Sequence, residues 1–221
     1  MVSSIVRRGV LFVLIGPSGS GKSTFCARLV QEFPGKIMYS VSATTRPPRE
    51  GEIQGVSYHF MSREDFESRR EHGDFFEWEE NHGNLYGTLR SNIVDGISSG
   101  TDLLFQIDIR GALNFKKHFP DNAVTIFIIP PSFEVLNQRL LARGTVDPDE
   151  LTTRFTTARS EYAALLALRA DPGKVDYVVV NHDLDGAYDK IRSIVLSEQA
   201  RYGRMDISSV AALCEVGEGG K

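Results

Sequence analysis

The residues best suited to chemistry lie near the start of the chain, at Gly16, Pro17, Ser18, Gly19, Ser20, Gly21, Lys22 and Ser23. They match the phosphate-binding pattern Gly-x-x-x-x-Gly-Lys-Ser/Thr at every required position. Glycines let several backbone N–H groups converge on one anion, because no side chain blocks the approach of a phosphate. Lys22 adds a mobile positive charge, and the Ser23 hydroxyl can bind Mg²⁺. The stretch, continued by Thr24, therefore predicts a polyphosphate-binding loop.

Both flanks of this loop fit that interpretation. Residues 10–15 form a short continuous apolar run with the length of a buried parallel strand. Residues 22–33 carry apolar side chains at helical spacing, and Pro34 with Gly35 then ends the pattern. A helix that begins in the loop adds unpaired N–H groups and a favourable dipole for an anion.

A carboxylate is predicted at the same edge of the sheet. Residues 102–107 read as a second apolar strand, and Asp108 follows it. Open α/β sheets bind ligands at the carboxyl ends of their strands, which is also where the phosphate loop must lie. The pattern favours a functional Asp108 over a merely solvent-exposed strand end.

Two further groups of arginines are candidates for binding phosphate. Residues 42–52 contain two prolines and a glycine, which predicts a loop without regular structure, and they carry Arg46 and Arg49. Arginine forks bind phosphate oxygens in pairs. Spacing alone leaves a solvated, charged loop as an equal alternative.

The second group of arginines lies on two predicted helices joined by a polar break at residues 144–148. Arg139 and Arg143 share one face of the first helix, and Arg154 and Arg159 lie on the second. The pair of helices predicts a mobile lid, with an ordinary surface hairpin held by salt links as the alternative.

The whole pattern predicts an α/β fold, in which a parallel sheet of the P-loop NTPase type is flanked by helices. The core is expected at residues 1–40, 91–131 and 170–202, with an inserted small, mostly β lobe at 41–90 and the helical lid at 132–169. Residues 203–221 are expected to form a poorly ordered tail.

Composition limits the class of protein. The chain has 221 residues, of which 41% are hydrophobic and 24% charged, with a net charge of -4, which argues weakly against nucleic acid as a partner. Cys26 and Cys214 are the only cysteines, which suggests a reduced, cytoplasmic compartment. No apolar run approaches the length that spans a bilayer, so no membrane partner is expected.

Six motifs in order give the chain a resemblance to guanylate kinases from about residue 8 to 200. Beyond the phosphate loop they lie at residues 42–52 (Ser-x-Thr-Thr-Arg-x-Pro-Arg-x-Gly-Glu), 76–78 (Phe-Glu-Trp), 86–88 (Tyr-Gly-Thr), 107–111 (Ile-Asp-x-x-Gly), 139–144 (Arg-Leu-x-x-Arg-Gly) and 180–185 (Val-Asn-x-Asp-Leu-Asp). The resemblance implies transfer of the terminal phosphoryl group of ATP to GMP, with Mg²⁺, giving ADP and GDP.

The resemblance also implies a role for individual residues. It places the GMP phosphate against Arg46, Arg49, Tyr58 and Tyr86, and the guanine base against Ser42, Glu77, Thr88 and Asp108. It places the lid arginines Arg139, Arg143 and Arg154 on the phosphates, Asn181 near the adenine of ATP, and Glu52 in the active site.

Two positions depart from the family pattern. Gln106 stands where the family usually has an acidic residue, and His182 replaces an aspartate beside Asn181; we expect His182 to face solvent. Two other functions remain open from the residues: a non-catalytic, peptide-binding scaffold module, which the complete phosphate loop argues against, and a kinase for AMP, a pyrimidine nucleotide or a non-nucleotide acceptor. The sequence does not predict an oligomeric state.

Overall fold

A computed structural model describes residues 6–81, 83–142, 148–171 and 173–207. The first half of the chain forms, in order, β1 (Val6–Arg7), β2 (Leu11–Ile15), α1 (Lys22–Glu32), β3 (Ile37–Tyr39), β4 (Ala43–Thr44), β5 (His59–Phe60), α2 (Arg63–Glu71), β6 (Phe75–Asn81), β7 (Asn84–Leu89) and α3 (Arg90–Ser99). The second half forms β8 (Asp102–Gln106), α4 (Ile109–His118), β9 (Ala123–Ile129), α5 (Phe133–Ala142), α6 (Pro148–Ala167), β10 (Tyr177–Val180), α7 (Leu184–Gln199) and β11 (Met205–Asp206). Among the described residues, no helix combines the length and the apolar character that crossing a bilayer requires.

The predicted parallel sheet is confirmed. Its five strands lie in the order β10-β9-β2-β8-β3, and each neighbouring pair is parallel. Strand β2 lies at the centre and is fully buried along its length. Alternate residues of β2 serve the cores on the two faces of the sheet: Phe12 and Leu14 pack in the core that includes α1 and α7, and Val13 and Ile15 pack in the core that includes α3 and α4.

A second sheet, in the order β5-β4-β7-β6, forms the small lobe. Its core contains Phe66 of α2 stacked on Phe75 of β6, with ring centroids 4.2 Å apart. Gly87 of β7 passes directly over these rings, and a Cβ at that position would lie 2.7 Å from the Phe75 ring. The close approach requires glycine, and it draws β7 towards the lobe core.

Two expectations about irregular segments need correction. Residues 42–52 were predicted to lack regular structure, but Ala43–Thr44 pairs with both β5 and β7. The two prolines come after this pairing, so its backbone N–H groups remain available. Residues 205–206, expected in the poorly ordered tail, pair with Val6–Arg7 as an antiparallel ladder. Residues 208–221 of the predicted tail, with Cys214, lie outside the described residues.

Candidate active site

The phosphate loop has the backbone that its glycines predict. Gly16, Gly19 and Gly21 all have positive φ angles, of 130°, 87° and 105°, a region that other residues rarely adopt. A Cβ on Gly16 would lie 2.2 Å from the carbonyl oxygen of Ile128, so the loop also passes too close to β9 for any side chain. The N-terminus of α1 follows directly, at Lys22.

The last two side chains of the motif, those of Lys22 and Ser23, are held by hydrogen bonds. The Lys22 ammonium donates to the carbonyl oxygens of Gly16 and Pro17. The Ser23 hydroxyl donates to Oε1 of Gln106, at 2.8 Å. Gln106 therefore contacts the hydroxyl predicted to bind Mg²⁺, although it lacks the charge of the acidic residue usual at its position.

Two residues that were predicted to bind ATP, Ser20 and Asn181, are buried and do not line the cleft. Ser20 is fully buried, and Asn181, at the end of β10, is 2% exposed. The Asn181 amide donates to the carbonyl oxygen of Ser20 at 2.8 Å. This hydrogen bond holds the backbone of the loop against the end of β10. Its contact with adenine stays a prediction. The neighbouring His182 is exposed, as expected.

A cleft of about 810 Å³ joins the loop to the small lobe and to the lid. It brings together many of the residues that the sequence singled out. They are Gly16, Ser18, Gly19, Gly21, Lys22 and Ser23 from the loop, Ser42, Tyr58, Glu77, Tyr86 and Thr88 from the lobe, and Asp108 from the core.

Glu77 and Thr88 line the cleft side by side, because β6 and β7 pair them in register. The Thr88 hydroxyl lies 3.5 Å from Oε1 of Glu77. Burial, with a smaller effect from the charge of Asp108, raises the pKa of Glu77 to about 7. A half-protonated carboxyl group near neutral pH is unusual, and it marks a site where a ligand could supply the missing hydrogen-bond donors.

Asp108 was predicted at the end of a strand, and the structure makes it the N-cap of α4 as well. Strand β8 ends at Gln106, and Oδ1 of Asp108 accepts from the backbone N–H of Gly111 at 2.8 Å. This cap fixes the side chain at the rim of the cleft.

Arg46 and Glu52 are brought together beside the tyrosines. Nη2 of Arg46 donates to both carboxylate oxygens of Glu52, at 2.7 and 2.9 Å, and the Arg46 guanidinium lies 5.5 Å from the centre of the Tyr58 ring. The hydrogen bond from Arg46 is the main reason that the pKa of Glu52 is lowered. The backbone N–H of Arg49 donates to the same carboxylate, while the Arg49 residue is exposed. Glu52 thus organises both predicted phosphate-binding arginines.

Two of the predicted lid arginines contact the phosphate loop or the residue that supports it. Arg154 of α6 donates to the Ser18 hydroxyl at 3.0 Å, and Arg139 of α5 donates to the backbone carbonyl of Asn181 at 3.0 Å. Nη1 of Arg139 is buried and has no hydrogen-bond partner among the described residues. Arg143, the third predicted lid arginine, lies outside the described residues.

The sequence prediction missed two residues of α6 that line the cleft, Thr157 and Glu161. They lie three and seven residues after Arg154, on one helix face. Once Arg154 had been assigned to the cleft, this helical spacing could have predicted that Thr157 and Glu161 line it too.

The oxygen ligands around Ser23 suit magnesium. Ser23 and Gln106 supply a hydroxyl and an amide oxygen, and hard cations prefer such oxygen ligands. Among the described residues, no group of three or more acidic, histidine or cysteine side chains could hold a metal alone.

Comparisons with known proteins point to one family. The sequence profile of guanylate kinases matches residues 8–198. A guanylate kinase of Clostridium tetani is 42% identical over 200 residues, which cover 90% of this chain and 91% of that protein. One of Chlorobium luteolum is 44% identical over 191 residues, with 86% and 93% covered.

A solved structure agrees with these sequence matches. The crystal structure of a guanylate kinase from Anaplasma phagocytophilum superposes with a TM-score of 0.70 at 32% identity, covering 98% of this chain and 99% of the other. The phosphate loop, the pairing of Glu77 with Thr88 in the cleft and the similarity to these relatives together establish that the chain belongs to the guanylate kinase family.

Proposed function

We propose that this protein transfers the terminal phosphoryl group of ATP to GMP and releases ADP and GDP. The observation that carries the proposal is that Glu77 and Thr88 line the same cleft as Lys22. Guanine presents N1–H and N2–H₂ as adjacent donors, which a carboxylate can accept together. Adenine has no N1–H and would leave that carboxylate without its donors, at a cost of about 1–3 kcal/mol.

The phosphate loop and the lid supply the donor side of the reaction. The loop amides hold the ATP phosphates, and Lys22, with Arg139 and Arg154, neutralises the charge on the transferring group. Ser23 would hold Mg²⁺, which would add a positive charge beside the phosphates. Arg143 is proposed to join the other lid arginines.

The small lobe supplies the acceptor side. Arg46 and Arg49 hold the GMP phosphate, with Tyr58 and Tyr86 beside it, while Ser42 and Asp108 complete the base site. Holding both substrates in line is the main requirement of phosphoryl transfer, so no general base is assigned. Closure of the lid excludes water, which would otherwise accept the phosphoryl group.

A coupled assay of ADP release, with ATP, Mg²⁺ and a panel of nucleoside monophosphates, tests the proposal. We expect turnover with GMP and little with AMP, CMP or UMP. Turnover with another monophosphate would favour a different small-molecule kinase, and no turnover with any acceptor would favour a non-catalytic module. We place the activity in the cytoplasm, which suits the buried free thiol of Cys26.

Replacing Arg49 by alanine should separate the two substrates. We expect the KM for GMP to rise about 10- to 100-fold, because one charged hydrogen bond to phosphate is lost. Affinity for ATP should stay within about twofold, since Arg49 lies on the lobe. Steady-state kinetics at varied GMP and at varied ATP measure both effects. Arg69→Ala, at an exposed lobe position, is the control, and equal losses for both substrates would remove Arg49 from the acceptor site.

The affinity for GMP should depend on the ionisation of Glu77. Because the pKa of Glu77 is raised to about 7, its carboxylate is mostly ionised at pH 8 and mostly protonated at pH 6. GMP affinity should therefore fall about tenfold between these values as the pH is lowered. The GMP phosphate titrates in the same range, so the useful quantity is the ratio of dissociation constants for Glu77→Gln and the wild type. A ratio that stays constant with pH would contradict the assignment.

A further inference from the structure

Glu161 is held in the cleft by the packing of its own helix. On α6 it follows Arg154 and Thr157, which also face the cleft. Ala158, 1% exposed, packs on α5 in the lid core, and the Tyr162 ring lies 6.4 Å from that of Phe127 in the central sheet. These contacts on both sides fix the rotation of the helix, so the direction of Glu161 is not free to vary.

One oxygen of this carboxylate is left unsatisfied. Oε2 of Glu161 is buried and has no hydrogen-bond partner within the described ranges of the chain. Burial raises the pKa of Glu161, and the charge of Lys22 opposes that rise. An unpaired buried carboxylate oxygen is costly, and among the described residues Lys22 offsets the cost only through its charge, not through a hydrogen bond to Oε2. A ligand in the cleft could supply the missing donor.

The negative charge of Glu161 is unexpected in this cleft. If the cleft receives ATP as proposed, Glu161 shares it with a chain of anionic phosphates. A carboxylate close to metal-free ATP is repelled by a ligand of about four negative charges, whereas the magnesium complex carries about half that charge and has cation-bound waters to donate. The same side chain thus penalises one form of the nucleotide and suits the other.

We propose that Glu161 is a specificity-determining residue through which the lid selects the magnesium complex of ATP over the metal-free nucleotide. Since α6 carries both Arg154 and Glu161, closure brings a positive charge to the loop at Ser18 and a negative charge beside Lys22. With ATP in the cleft, closure is more favourable when a cation offsets the negative charges of Glu161 and the phosphates. The inference rests on the proposed function, because it requires ATP in this cleft.

Calorimetric titration with a non-hydrolysable ATP analogue tests it, once in excess Mg²⁺ and once in EDTA. The measured quantity is the ratio of the two dissociation constants. For Glu161→Gln we expect tighter binding of the metal-free analogue, and a ratio at least about tenfold smaller than in the wild type. Glu161→Asp, which keeps the charge, should retain most of the selectivity. Glu134→Gln removes one charge from the other lid helix and should leave the ratio unchanged.

The outcomes separate this inference from the proposed function. An unchanged ratio in Glu161→Gln, with normal GMP phosphorylation by the wild type, overturns the role of Glu161 and leaves the kinase activity standing. An equal change in both dissociation constants also overturns it, because a purely structural role would weaken both forms alike. A wild type that binds the analogue in neither condition overturns both.

Discussion

Replacing Lys22 by methionine should lower the turnover number for GMP phosphorylation by on the order of 10³-fold. A unit charge about 4 Å from another contributes roughly 4 kcal/mol at an effective dielectric constant of about 20, and that energy corresponds to about three orders of magnitude in rate. Lys22 lies on the wall of the cleft, where it can follow the transferring group. Steady-state kinetics with saturating ATP and GMP measure the loss.

Lys117→Met provides the matched control, because it removes the same charge from an exposed position at the end of α4. We expect it to leave the turnover number within about twofold of the wild type. Both variants should unfold at temperatures close to that of the wild type. A loss below tenfold for Lys22→Met would remove this side chain from the chemical step.

Replacing Glu77 by glutamine should weaken GMP binding by roughly 30- to 1000-fold. Two donors of guanine would lose a charged acceptor, which costs about 2–4 kcal/mol in total. The preference for GMP over AMP should shrink by a similar factor, because adenine gains nothing from the carboxylate. Competition titrations with GMP and AMP measure both changes, and Glu80→Gln, an exposed change on the same strand, is the control.

The same substitution should not destabilise the fold at pH 8. The folded-state pKa of Glu77 is raised above its unfolded value, so ionisation disfavours the folded state, and stability falls as the pH rises from about 4.5 through 7. Glutamine removes this penalty, so the melting temperature at pH 8 should be equal or higher. Undiminished GMP affinity together with a lower melting temperature would show Glu77 to be a structural residue.

The sequence alone was sufficient to predict the features that depend only on residues close together along the chain. The phosphate loop, the strand before it and the helix after it appear where they were predicted, because closely spaced glycines and a continuous apolar run determine local backbone conformation. The predicted strand at residues 102–107 is observed at Asp102–Gln106. The family resemblance added predicted roles for residues that spacing alone left open, such as Arg46 and Arg49.

Tertiary structure decided which side chains share an environment. The pairing of Thr88 with Glu77, the burial that raises the pKa of Glu77, the ion pair between Arg46 and Glu52, and the place of Asn181 beneath the loop all depend on packing. The short ladder between residues 6–7 and 205–206 has no periodicity to reveal it.

Glu161 shows the physical reason for this division. Its position on a helix could be predicted from sequence, since helical spacing is a local property. Its position in the cleft depends on how that helix packs against α5 and the central sheet, and those partners are distant along the chain. Local backbone preferences are encoded within a few residues, whereas burial and electrostatic environment arise only when separate segments come together.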